Sequence, residues 1–247
     1  MHHHKLAKIL PAFFAVGLCC GASAVSTTSV GFDGGSDGGF VGNAFFEDTG
    51  GNPGGNAHFF VQAFGLSLRT GEPGNPVNDG FVGDYTLFPS VTFSVDIQVN
   101  SITNFFGGQI AREIGITLLD NDIQGPSGPA GVYVPLAVIS AATTSDWTTL
   151  AVTIEDTSST MLPPGWIGFG DEDPNTFEPI LPDGVTFTSL LAGIDVFQLT
   201  TFVPGFFFTD ANYDVRVGNL SVTTVPLPAG FVLLLSALGA IGLRSRR

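Results

Sequence analysis

The chain has 247 residues, of which 44% are hydrophobic and only 12% charged, with 33 Gly, 23 Phe and a formal net charge of −14. All 22 acidic side chains lie between Asp33 and Asp214, and from Lys8 to Arg244 only Arg69, Arg112 and Arg216 oppose them, a net of −19. Such a body repels phosphate backbones, which excludes nucleic acid as a partner, and it favours solubility, divalent cations or basic partners.

Residues 1–24, MHHHKLAKILPAFFAVGLCCGASA, have the parts of a secretory signal: basic Lys5 and Lys8, an apolar stretch over residues 9–20, then Ala22-Ser23-Ala24. Small side chains at Ala22 and Ala24 suit signal peptidase and predict cleavage after Ala24. Both cysteines, Cys19 and Cys20, precede that cut, so the mature chain is expected to have neither a disulfide nor a thiol nucleophile. His2, His3 and His4 also precede it and form no metal site.

From residue 25 to 224 the apolar positions recur with a period of two rather than 3.6. The clearest case is residues 90–99, where Val91, Phe93, Val95, Ile97 and Val99 alternate with polar residues. Further strands are predicted at 57–68, 114–119, 136–139, 147–154, 184–190, 194–200 and 213–222. Gly, Pro, Asn and Asp punctuate them at 50–55, 71–79, 121–131 and 171–182, and no segment of the body reads as a long helix. This predicts an all-β fold, one antiparallel sandwich or jelly roll, with phenylalanines filling the space between sheets about 10 Å apart. Residues 206–208, Phe-Phe-Phe, cannot all face one side of a strand, so at least one ring belongs to a turn, an edge or the surface.

Catalytic signals are sparse in this body. His58 is its sole histidine, placed in a strand-like run, and there is no Gly-x-Ser-x-Gly elbow. Paired carboxylates would suffice for glycosidic hydrolysis, but 22 acidic residues make some pair inevitable. Asp120-Asn121-Asp122 and Asp171-Glu172-Asp173 place hard oxygen ligands close together in loops, the chemistry Ca²⁺ takes, so Asp120, Asp122, Asp171 and Asp173 are candidate ligands of a structural Ca²⁺. Asp33 and Asp37, among glycines, read as turn residues.

The last segment, residues 225–247, is VPLPAGFVLLLSALGAIGLRSRR. It is uncharged from Ala229 to Leu243 and then basic, a short stop-transfer pattern that predicts a transmembrane helix with a cytoplasmic basic tail. Val225, Pro226, Leu227, Pro228, Ala229 and Gly230, the apolar run, and Arg244, Arg246 and Arg247 together resemble the PEP-CTERM sorting signal, with Leu227 where that motif usually has Glu. The resemblance implies an exported Gram-negative protein, held at the inner membrane, recognised by an exosortase, and passed to the cell surface or the extracellular space. In the body, Gly50-Gly51-Asn52-Pro53-Gly54-Gly55, Trp147, Pro164-Gly165-Trp166, Gly168-Phe169-Gly170-Asp171 and residues 213–222 resemble bacterial laminin-IV-like and carbohydrate-binding-like jelly rolls, with Gly218 where such modules commonly have Asp. That resemblance implies a structural or adhesive module, with an extracellular polysaccharide as partner; a polysaccharide hydrolase or lyase is the alternative.

Overall fold

In β6 (Ser90–Asn104) every second side chain from Val91 to Val99 is buried, as the alternation requires. The computed structural model describes residues 24–207 and 209–226. Ala22, Leu227, Pro228, Ala229, Gly230, Arg244, Arg246 and Arg247, with the expected signal helix and transmembrane helix, lie outside the described residues. Among the described residues no helix is long and apolar enough to cross a membrane. Val225, assigned above to the tail, is the last residue of a strand, so the sandwich extends one residue further than predicted.

The strands in chain order are β1 (Ser26–Val30), β2 (Val41–Gly42), β3 (Phe45–Glu47), β4 (Asn56–Ala63), β5 (Ser67–Thr70), β6, β7 (Arg112–Gly125), β8 (Gly128–Ile139), β9 (Thr148–Ile154), β10 (Ile167–Phe169), β11 (Asp171–Glu172), β12 (Pro179–Ile180), β13 (Val196–Thr200) and β14 (Ala211–Val225). They form two antiparallel six-stranded sheets. One runs β3-β4-β14-β6-β9 with β1 also on β14, the other β10-β8-β7-β13-β5-β2, while β11 and β12 pair separately. Phe93, Val95 and Val215 of the first sheet and Ile116, Leu118, Val132 and Phe197 of the second enter one core. Phe40, Phe81, Phe93 and Phe197 make edge-on and tilted ring contacts at its centre. Residues 24–226 form one compact unit, which holds the described strands and core.

Three local predictions are corrected. The run at 57–68 is two strands, β4 and β5, in opposite sheets, because the chain turns at Phe64-Gly65-Leu66. The predicted strand at 184–190 is instead a short helix, α1 (Phe187–Leu191). Thr186 and Ser189 cap its first turn reciprocally, and Phe187, Leu190 and Leu191 are buried at helical spacing. The predicted break at 121–131 is an irregularity inside a hairpin: Asp120 pairs with Ala130 and Gln124 with Pro129, so residues 121–123 bulge out of β7 before it turns into β8.

Two further irregularities shape the first sheet. Asn100 is the extra residue where β14 steps from Asp214 to Val215, and Asn219, at φ 48°, lies in the bulge between Gly218 and Ser221. That second bulge surrounds a buried carboxylate. Asp96 of β6 accepts hydrogen bonds from Thr149 Oγ1 on β9 at 2.5 Å, Asn219 Nδ2 at 3.3 Å and Asn52 Nδ2 of the glycine-rich turn at 3.4 Å. One side chain therefore ties three segments together, satisfying donors that burial would otherwise penalise. The ring of Trp147 lies 3.5 Å from where a Cβ on Gly218 would stand, ordinary van der Waals contact, so the indole packs over this glycine.

Candidate functional site

The outward face of the first sheet collects the functional side chains. Because side chains alternate, β4 presents His58 and Phe60 outward while Ala57 and Phe59 enter the core; β14 likewise presents Asp214 and Arg216. Register then aligns Phe45 (β3), His58 (β4), Arg216 (β14) and Gln98 (β6) in one row across four strands, roughly 14 Å at the usual strand spacing. A second row holds Phe60 and Asp214, with Asn100 projecting from its bulge.

His58 organises this face. Its Nδ1 lies 2.9 Å from Glu47 Oε1 and its Nε2 lies 2.8 Å from Asp214 Oδ1. Carboxylate oxygens only accept, so both contacts are hydrogen bonds when both ring nitrogens carry protons. Asn100 Nδ2 donates to Asp214 Oδ1 at 3.0 Å, Asn56 Nδ2 donates to Glu47 Oε2 at 3.2 Å, and Arg216 Nε stands 3.8 Å from Glu47 Oε2. The hydrogen bond from His58 holds the Glu47 carboxyl below its usual range. Burial pushes Asp214 up, but hydrogen bonds from His58 and Asn100 outweigh it and leave that carboxyl lowered too. Two carboxylates held ionised give neither a general acid, and His58, engaged at both nitrogens, has none left for a substrate proton. The arrangement is suited to binding: fixed acceptors and an arginine donor flanked by the exposed rings of Phe45 and Phe60.

The second sheet's outer face offers less. The connection through Phe202, Val203, Pro204 and Gly205 covers it and leaves a cleft of about 360 Å³ lined also by Thr117, Gln198, Asp171 and Glu172. Gln198 Nε2 is bonded to Ser67 Oγ at 2.9 Å, and the charged pair on this face is Arg69 Nε with Glu72 Oε2 at 3.0 Å on and after β5.

The two predicted cation loops separate. Asp120 and Asp122 are joined by Asp195, their carboxylate oxygens within 4.8 Å of one another. Asp120 Oδ1 accepts from the backbone N–H groups of Asp122 at 2.8 Å and Ile123 at 3.2 Å, which folds the bulge around it. Burial pushes the Asp120 carboxyl up and the nearby charges of Asp195 and Asp122 add to this, while the two backbone bonds oppose it. Three carboxylates so placed fit a hard divalent cation, which would relieve their repulsion. Gly193 packs closely against the trio, since a Cβ there would lie 2.9 Å from Asp120 Oδ2. Asp171 and Asp173 join no such group among the described residues. Asp171 accepts from the Glu172 N–H, and Asp173 accepts from the N–H groups of Asn175 and Thr176, the work of turn residues. Asp195 stands some 73 positions from Asp122 in sequence, and only the β7–β13 pairing brings it in.

No family model matches the sequence, and no curated protein matches it. Solved structures match this chain at low similarity. The CBM22-1 xylan-binding domain of Paenibacillus barcinonensis Xyn10C is 11% identical with a TM-score of 0.46, over 83% of this chain and 99% of that one. The family 11 carbohydrate-binding module of Clostridium thermocellum, solved with a β-1,3-1,4-mixed-linked tetrasaccharide, is 12% identical at 0.41, over 80% and 87%. An exo-β-agarase is 15% identical at 0.43, over 81% of this chain but 25% of its own. At these values they say nothing of what this chain binds.

Proposed function

We propose that the sandwich is a binding module for uncharged polysaccharide and that the outward face of its first sheet is the binding surface. The observation that carries this reading is the pair of exposed rings, Phe45 and Phe60, flanking the fixed network of His58, Glu47, Asp214, Asn100 and Arg216. A pyranose has apolar C–H faces that pack on a phenyl ring and an equatorial belt of hydroxyls that pair with carboxylate, amide and guanidinium groups. Holding those groups in place beforehand lowers the ordering cost of binding. The net charge of −19 on residues 25–224, three arginines against 22 acidic side chains, selects against anionic glycans. The module binds without turnover, a reading supported by two carboxylates that are both held ionised.

The terminal segments complete the proposal: residues 1–24 export the chain through signal peptidase, and residues 225–247 hold it at the inner membrane for an exosortase, placing the module at the surface or in the matrix. Affinity electrophoresis of residues 24–226 through gels containing xylan, mixed-linked β-glucan, agarose or dextran tests the binding. Retardation in at least one gel, lost in Phe45→Ala/Phe60→Ala, is expected; unretarded migration in all four refutes it. Mass spectrometry of the mature termini tests the sorting, which an intact Arg247 on released protein refutes.

A further inference from the structure

A second surface lies at one end of the sandwich. The β4–β5, β6–β7 and β13–β14 connections all cross between the sheets at the end where Ala211 pairs with Ala63 and Asn104. Each carries phenylalanine at its tip: Phe64 in the first, Phe105 and Phe106 in the second, Phe202 and Phe207 in the third, all exposed. Phe106 is 92% and Phe207 91% accessible, so these two rings protrude from separate loops, whereas Phe64 and Phe202 line a pocket of about 580 Å³ beside them and Phe207 borders another with Arg112 and Glu113. Phe105 and Phe106 meet edge to face at 5.7 Å, and Asn104 Oδ1 braces their turn by accepting from the Phe106 N–H at 3.0 Å and the Gly108 N–H at 2.9 Å.

Charge sets this end apart. Acidic side chains are sparse there: residues 62–66 and 103–111 contain none, and the β13–β14 connection has one, Asp210, where it enters β14. Ala24 and Pro226, where the described chain begins and ends, lie at the opposite end, since Ser26 pairs with Thr224. The 15 residues of β14 put roughly 45 Å between the two ends. The first and last described residues therefore lie far from the phenylalanine end.

We propose that this end docks on a lipid bilayer by inserting Phe105, Phe106 and Phe207 into the interface. Rings protruding singly from separate loops find little shape complementarity on a rigid partner, whereas a bilayer closes around each one and removes it from water. Loop tips without carboxylates meet the headgroups without the repulsion that the rest of the body would feel from anionic lipid. Insertion is therefore strongest on zwitterionic membranes, and on anionic ones it strengthens with salt.

The test is co-flotation of residues 24–226, the compact unit whose fold a melting curve verifies, with phosphatidylcholine vesicles and with vesicles containing added phosphatidylglycerol. Wild type is expected to float with phosphatidylcholine, and Phe106→Ser/Phe207→Ser to bind about 100-fold more weakly, about tenfold per ring. Both rings are almost wholly exposed, so an unchanged melting curve verifies the fold of the variant. In a second measurement, the emission of a Phe106→Trp variant shifts to the blue on adding phosphatidylcholine vesicles. Failure of wild type to float, equal flotation of the double variant, or an unshifted emission from the Phe106→Trp variant would each overturn the proposal. So would sedimentation showing a dimer that the double variant loses while neither protein binds vesicles, because the surface would then belong to a second copy of the chain.

Discussion

Truncating Phe60 to alanine measures how much of the sheet-face affinity comes from ring stacking. Its side chain is 66% exposed and Phe45 64% exposed, and neither supports the core. A phenylalanine offers about 200 Å² in all, so roughly 130 Å² of each ring is available, and a sugar packed on one face covers about half of that. At about 25 cal/mol per Å² the lost contact is worth about 1.6 kcal/mol, close to 15-fold in affinity for either ring and about 200-fold for both. Isothermal titration with the glycan that most retards wild type in the gels gives the affinities, and thermal melts check that the folds match. A Phe45→Ala/Phe60→Ala variant that binds within twofold of wild type would remove the rings from the site and take the argument for this face with them.

Three other perturbations follow from the polar network. Asp96→Ala strands the donors of Thr149, Asn219 and Asn52; it should cost about 2–4 kcal/mol and lower Tm by roughly 5–15 °C by calorimetry, and a change under 2 °C would deny the pinning role. Glu47 and Asp214 have carboxyls lowered in the fold, so the stability they lend is complete above their unfolded values of about 4 and is lost as pH falls through the lower folded ones. Melts in acid should therefore fall more steeply for wild type than for His58→Asn, and superimposable slopes would refute the attribution. Asp120 has the opposite sign: its raised carboxyl penalises the fold at neutral pH, a penalty relieved as pH falls through the folded value. In chelator, Asp120→Asn should raise Tm at neutral pH and lose that gain in acid, while saturating Ca²⁺ should raise the Tm of wild type alone; no Ca²⁺ response in wild type would rule the trio out as a cation site.

How far the sequence reveals this protein depends on the range of the interaction that decides each feature. Alternation between core and solvent is local, so β6 and β14 are legible from Val91 to Val99 and from Tyr213 to Val222. The helix at Phe187 reads as a strand because Val185, Phe187 and the following polar residues also alternate; the Thr186–Ser189 capping pair is the local signal that outweighs them. The short β2, β3 and β10 strands carry too few residues for a period to show, and they exist because longer strands offer them an edge. The candidate site is the least legible part. His58 looks like an isolated strand histidine, and nothing near it in sequence points to Asp214, 156 positions away, which reaches it only through the β4–β14 register. Asp120 and Asp122 are visible as a pair, whereas Asp195 requires the fold.

β14 links the two proposed surfaces and allows them to be tested against each other. Asp214 and Arg216 face outward from its first half into the His58 network, and Ala211, its first residue, stands beside the phenylalanine loops. Phe60 and Phe64 are four residues apart along β4 and its turn, roughly 13 Å in extended chain. At that spacing, substitutions on the two surfaces should act independently to within about 0.5 kcal/mol. Phe106→Ser should therefore leave glycan affinity unchanged within about twofold, and Phe60→Ala should leave vesicle binding unchanged to the same degree. A protein already floated on vesicles should still bind the soluble glycan. Should Phe106→Ser weaken glycan binding fivefold or more with an unaltered melt, the rings of the loop end and the sheet face would form one continuous recognition surface, and the separate lipid role would fail.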